Sequence, residues 1–186
     1  MCIRDRVINT LNAEDDSLSF ELFLTDLNGE SINNVQLNEV FFINLAAEDL
    51  TAEAAGVFAA YVDLYLPHTH LEFAGDAIFE SPFSNGKSGT ATDHGVLDEW
   101  GAFAGLERTG SGMLVISRIP MRATRTGSVL AILDPADVSP RHDVLLYDRD
   151  SAVATQDIRY QSLEFQILEN PEGESLEEVD EVFASY

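Results

Sequence analysis

A single cysteine, Cys2, stands among 186 residues, so no disulfide can form within the chain and no disulfide framework holds it. Positive charge is nearly as scarce. Ten lysines and arginines face 33 acids, a formal net charge of −23, and only one of the ten is a lysine, Lys87. A field of that sign repels phosphate backbones and anionic lipid, so partners of the nucleic-acid and membrane-surface classes are not expected. No uninterrupted apolar run of about 18 residues occurs, so no membrane insertion is expected. The same charge suits saline surroundings, where screening over roughly 8 Å weakens self-repulsion. The acids read first as a solvated surface; no cofactor is expected, and a structural calcium is the one ion for which the charge leaves room.

Apolar residues make up 45% of the chain, as in a packed domain and unlike a disordered one. The length fits one domain with tails. Residues 1–6, MCIRDR, resemble translated sequencing-adapter read-through at the head of reading frames assembled from environmental DNA. The expected division is therefore an artefact at 1–6, a β-sandwich module at 7–168 and an acidic tail or linker at 169–186. On that reading the native start lies elsewhere, and a missing signal peptide says nothing of localisation. The tail carries seven acids and no base. Within it Ser175 and Glu178 form a capping-box pattern ahead of Leu176, Val179, Val182 and Phe183, which reads as a short amphipathic helix or the start of a further module.

Between the tails, apolar residues recur with a period of two. Leu18, Phe20, Leu22 and Leu24 mark one face of a strand. After Asn28-Gly29, a tight-turn pair, Phe41, Ile43, Leu45 and Ala47 mark another. "GVFAAYVDLYL" is apolar on both faces and belongs in the middle of a sheet. Further strands are expected at Leu71–Phe79, Met113–Met121, Gly127–Leu133, Val144–Tyr147 and Ile158–Leu168. In the last the apolar parity slips near Gln161 and Ser162, which suggests a β-bulge. Glu48–Ala55 reads as a loop or short helix, and Ser81–Gly95, Gly105–Gly112 and Asp134–Asp143 read as turn-rich loops. The fold class is all-β: an antiparallel β-sandwich of immunoglobulin-like, jelly-roll type, with eight or nine strands and at most short helical turns.

Several fragments invite catalytic readings that their context does not support. "NGKS" at 85–88 contains a Gly-Lys-Ser, but a phosphate-binding loop needs glycine where Ser81 stands. His68 and His70 share one face of an extended segment, with only Glu72 continuing the parity, short of a metal site. His142-Asp143 with Ser139, and His94 beside Asp93, lack a nucleophile elbow and an oxyanion hole. No catalytic residue is assigned, and the chain reads as a non-enzyme. Asp26, Asn28 and Glu30 alternate like the start of a calcium loop, but its twelfth position would be Leu37 rather than glutamate. The remaining calcium candidates are Asp134, Asp137 and Asp143, with Asp148 and Asp150 nearby. The candidate binding residues are Trp100, the sole tryptophan, with Asp98 and Glu99, since an aromatic beside acids can stack on a sugar ring.

"DLNGESINNVQLNEVFFINLAAEDL", "GVFAAYVDLYL", "SNGKSGTAT…LDEWGAF" and "PMRATRTGSVLAILDPADVSPRHDVLLY" together resemble a module of very large secreted bacterial proteins, best known from planctomycetes, which commonly carry dockerin-like or cadherin-like segments. The resemblance covers roughly Leu18 to Ile167, with Val35, Phe41 and Glu48-Asp49-Leu50 falling on its pattern. The overall plan is similar to the cohesin and carbohydrate-binding sandwich superfamily, in which the flat sheet face of a cohesin docks a calcium-loaded dockerin. The loops here are longer and no dockerin-contact set maps onto the chain. The resemblance therefore implies a fold and an extracellular or cell-surface setting, and no binding residues.

The expected function is a non-catalytic module of a larger secreted or surface protein, serving in adhesion, as a scaffold or as a spacer. Its partner would be a protein (a dockerin-like or neighbouring module), met on a sheet face or in the loops between Ser81 and Gly105. The alternative is a carbohydrate-binding module that takes a polysaccharide on Trp100 or on one of Tyr61, Tyr65, Tyr147 and Tyr160. A third reading, a hydrolase or lyase on a sandwich, would require two titratable side chains converging in a pocket.

Overall fold

The computed structural model describes residues 16–92 and 95–170. Cys2, residues 1–6, the Asp93-His94 pair and the tail beyond Asn170 lie outside these, the Ser175–Glu178 capping pattern among them. In chain order the strands are β1 Leu18–Thr25, β2 Ser31–Ile32, β3 Asn34–Gln36, β4 Val40–Asp49, β5 Val57–Tyr65, β6 Leu71–Phe73 and β7 Ile78–Phe79. They continue with β8 Asn85–Ala91, β9 Val96–Phe103, β10 Leu114–Ala123, β11 Gly127–Pro135, β12 Leu145–Leu146, β13 Ile158–Gln161 and β14 Leu163–Leu168. The one helical element among the described residues is a 3₁₀ turn at Thr155–Asp157.

Two sheets form a sandwich. The first has the order β13-β1-β4-β10-β6, with β2 on β1 and β7 on β10; the second has the order β3-β14-β11-β5-β9-β8, with β12 on β5. The all-β sandwich expected from the alternation is what forms, and three of its details are corrected. The fourteen strands exceed eight or nine because Leu71–Phe79 breaks into β6 and β7 and Ile158–Leu168 into β13 and β14, because β2 and β3 form between Ser31 and Gln36, and because β8 and β9 pair as a hairpin where loops were expected. The pairing is also not wholly antiparallel: β13 runs parallel to β1, and β3 runs parallel to β14. Glu48 and Asp49 finish β4, and the expected loop begins only after them, at Leu50.

The parity slip at Gln161 and Ser162 is a change of sheet. β13 pairs with β1 in the first sheet, and β14, one residue later, pairs with β11 in the second. A chain that crosses from one sheet to the other must reverse which of its sides faces the core. Ile158 faces inward in β13, and Phe165 and Ile167 face inward in β14.

Alternation places the core. From the first sheet Leu18, Phe20, Leu22 and Leu24 meet Phe41, Ile43, Leu45 and Ala47 on the neighbouring strand, all buried. From the second, Ala60, Val62, Leu64, Val129, Ala131, Leu133, Phe165 and Ile167 complete the layer. Phe41 of one sheet meets Phe165 of the other edge-on, with ring centroids 5.8 Å apart. At the end of β4 the Asp49 carboxylate accepts hydrogen bonds from Thr51 N–H and Oγ1 and from Gly56 N–H at 2.7–3.0 Å, so the turn carries its own buried charge. Gly56 adopts φ +106°, and a Cβ there would meet the Gly110 backbone at 2.8 Å. Both the dihedral and the close approach require glycine.

Leu45 is fully buried on the central strand of the first sheet. Leu45→Ala is expected to cost about 2–5 kcal/mol, read as a lowered urea midpoint at unchanged slope.

Candidate functional site

The outer side of the second sheet carries a row of exposed apolar strand residues beside a cluster of hydrogen-bonded polar ones. On β11 the alternation sends Val129, Ala131 and Leu133 inward and leaves Leu130 and Ile132 outward, 49% and 42% exposed. Ile132 stands opposite Tyr65 of β5, itself 40% exposed, and Asp134 stands opposite Asp63. Leu130 stands opposite Glu164 of β14. The result is a strip of Leu130, Ile132 and Tyr65 bordered by carboxylates. Like charges directly opposed across strands are unfavourable, so the Asp63–Asp134 pairing needs a local reason.

That reason lies in β9. Leu64 pairs with Leu97 and Val62 with Trp100, so two residues, Asp98 and Glu99, face the single residue Asp63. This is a bulge, and its second residue, Glu99, has φ +53°, a left-handed conformation uncommon outside glycine. Glu99 N–H donates to Asp63 Oδ1 at 2.8 Å. The buried Glu99 carboxylate accepts from the N–H groups of Asp137 and Val138, each at 2.8 Å, on Oε1. Its Oε2 hydrogen-bonds with His142 Nδ1. One carboxylate thus holds both ends of the segment after β11 against the sheet. The His142 ring lies on Tyr61, centroids 4.7 Å apart, and Tyr61 Oη donates to Gly86 O at 2.8 Å.

Charge follows this geometry. Burial alone would raise the Glu99 carboxyl, but hydrogen bonds from Asp137 N–H, His142 and Val138 N–H outweigh it and hold the group below its ordinary value. Burial pushes Asp63 up; Asp98, Glu99 and Asp137 push the same way, and only the Glu99 N–H opposes them. Asp137 is raised first by its contact with the Glu99 carboxylate. The Tyr65 phenol is raised by desolvation and by the charges of Asp63, Asp134, Asp98 and Asp137.

The candidates named from sequence fall in different places. Trp100 is not an open platform. It points between the sheets, half-buried against the core, stacked on Phe79 at 5.3 Å, with Nε1 donating to Ser117 Oγ at 3.0 Å. Gly89, at φ +123°, leaves room for it, since a Cβ there would approach the indole to 2.5 Å. Asp98 is exposed at the bulge and Glu99 is buried beneath it. Of the calcium candidates, Asp134 and Asp137 share the neighbourhood of Tyr65, whereas Asp143 lines a cavity of about 60 Å³ with Tyr61, His142 and Tyr160. Among the described residues no three His, Cys, Asp or Glu side chains converge on a metal position. Asp26 is engaged in its own turn, where Oδ1 accepts from Asn28 N–H and Glu30 N–H. "NGKS" lies along β8, an edge strand, not ahead of a helix. Tyr147 Oη is bonded to Gly105 O, and Tyr160, stacked on Phe20, is pushed up to about 12 by burial.

Leu130 and Ile132 were not singled out from sequence. Their signal is nonetheless present: "SVLAIL" is apolar at both parities, in a strand whose outward side meets solvent.

No protein-family model matches the chain, and no curated protein matches it. Solved structures do. The seventh ScaB type I cohesin from Pseudobacteroides cellulosolvens aligns with TM-score 0.54 at 12% identity, over 82% of this chain and 93% of that one. The CaDoc0917(R16D)–CaCohA2 complex at pH 5.5 gives 0.55 at 8% identity, over 81% and 99%. The Coh-OlpC–Doc435 complex from Clostridium thermocellum, a type I cohesin–dockerin complex, gives 0.53 at 12%, over 83% and 96%. The chain has a cohesin-like β-sandwich fold.

Because Glu99 is held below its ordinary 4.5, its stabilisation is complete above about pH 4.5 and is lost as pH falls through its folded value. Asp63, raised, works in the opposite sense: its burial cost is relieved as it protonates. Glu99→Gln isolates the first effect. It is expected to cost about 1–3 kcal/mol at neutral pH, with the gap to wild type closing in acid, measured by urea unfolding across the two conditions.

Proposed function

We propose that the chain is a non-catalytic protein-docking module of a larger extracellular assembly, and that its partner is a dockerin-type module bound on the outer side of the second sheet. The observation that carries this is the exposed strip Leu130–Ile132–Tyr65 on a regular sheet face. A strand that presents two branched aliphatic residues to water gains nothing from them in stability, and contiguous apolar surface rimmed by polar groups marks protein contacts. The face is preformed by hydrogen-bonded strands, so docking there costs little ordering. A cohesin-like fold supports the same reading, because the similar complexes pair a cohesin with a dockerin. The non-catalytic part rests on the titratable groups. His142 bonds to Glu99 and packs its ring, tilted, against Tyr61, with no serine or cysteine among these contacts.

Calorimetric titration of the chain with a panel of calcium-loaded dockerin modules tests this. At least one dockerin should bind, and the double variant Leu130→Glu/Ile132→Glu should weaken it by tenfold or more, about 1.4 kcal/mol or above. Because both side chains are exposed, its melting temperature should stay close to that of wild type. Binding unchanged in the double variant would move the docking surface elsewhere, and silence across the panel would remove the dockerin reading.

A further inference from the structure

The two sheets differ in charge. The strands of the first carry three arginines, Arg118, Arg122 and Arg159, against four acids, Glu21, Glu48, Asp49 and Glu72. Each of these arginines has a carboxylate partner: Glu80, Glu72 and Asp16 respectively. The strands of the second carry one cation, Lys87, against five acids, Asp63, Asp98, Glu99, Asp134 and Glu164. Lys87 lies on the edge strand β8, with its ammonium over the Phe79 ring. None of the ion pairs among the described residues involves Asp63, Asp98, Asp134 or Asp137. On the ladder the Asp63–Asp134 pair lies two residues along from Tyr65–Ile132, the aromatic end of the apolar strip, and Asp98 sits at the bulge facing Asp63.

We propose that the outer side of the second sheet takes a protein surface on which lysine or arginine side chains ring an apolar centre. The inference rests on the docking reading and adds the partner's chemistry. The apolar centre would cover Leu130 and Ile132. The cations would stand over the Tyr65 ring and between Asp98 and Asp134, adding the ionic partners that the Glu99 N–H at Asp63 does not supply. An aromatic ring flanked by carboxylates suits a guanidinium or ammonium group in two ways, through its π face and through ionic hydrogen bonds. Complementary charge of this kind sets partner choice and association rate more than final affinity. An acidic or neutral partner is disfavoured, because it would bury the carboxylates unpaired.

The probes are two short synthetic peptides, acetyl-Arg-Ile-Arg-amide and acetyl-Glu-Ile-Glu-amide, titrated into the ¹⁵N-labelled full chain and followed by amide shifts. The arginine peptide should shift Asp63, Tyr65, Asp98, Ile132 and Asp134 ahead of the rest of the acidic surface, and the glutamate peptide should not. Raising salt from about 0.05 M to about 0.5 M should weaken the arginine response several-fold. Asp98→Asn/Asp134→Asn should do the same; both side chains are exposed, and the second change removes a repulsion, so the fold should persist. Absent shifts, shifts spread evenly over the acidic surface, or indifference to the double variant would each overturn the inference. Dockerin binding at this face that ignores salt and the double variant would overturn it while leaving the docking function intact. Dockerin binding that ignores Leu130 and Ile132 would overturn the docking site itself.

Discussion

A carboxylate taken out of water has to find donors, and Glu99 finds three of them in one loop while its own backbone N–H satisfies Asp63. Much of this face follows from that arrangement. The bulge that admits Glu99 puts an extra residue into β9, so Leu97 and Trp100, three apart, both point into the core. Without the extra residue their parities would be opposite, and Trp100 would stand in solvent. The same bulge leaves Asp98 outside beside Asp63 and Asp134, and it anchors the segment that carries Asp137 and His142. A backbone conformation unusual for glutamate is thus held by hydrogen bonds to the neighbouring strand and to a loop, the kind of over-determination that local strain requires.

The bulge also shows where legibility from sequence ends. β1 and β4 could be read residue by residue, because the apolar residues keep one parity from end to end and the core accepts only that parity; β5 could be placed in the middle of a sheet because it is apolar at both. In "VLDEWGAF" no period of two connects Leu97 to Trp100, and nothing local to the segment says that an extra residue is accommodated there. The information lies in Asp63, in Asp137 and Val138, and in His142, each more than 30 positions away. β8 was hidden for a related reason. "NGKSGTA" has the composition of a loop, and it becomes a strand only because β9 offers it a ladder.

The slip at Gln161 and Ser162 was visible, and its meaning was not. A bulge and a change of sheet leave the same trace in an apolar pattern, since both shift parity by one. They are told apart by which strand receives the pairing. Here β13 closes the first sheet by running parallel to β1, and β14 joins the second beside β11. One unbroken run thereby ties the two layers together along one side of the sandwich.

Similarity in fold at 8–12% identity has a physical reading of its own. What two sandwiches must share is the inward pattern, and many combinations of valine, leucine, isoleucine and phenylalanine fill the same layer. The outward positions carry no such constraint, so one fold can present unrelated surfaces to unrelated partners. On β11 the inward set of Val129, Ala131 and Leu133 is what any sandwich of this kind would place there. Leu130, Ile132 and Asp134, alternating with them, are not dictated by the fold, and Asp134 even opposes a like charge across the ladder. Residues that folding neither needs nor favours are where a binding specificity is written, which is why the outward half of this strand says more about function than the half that makes it a strand.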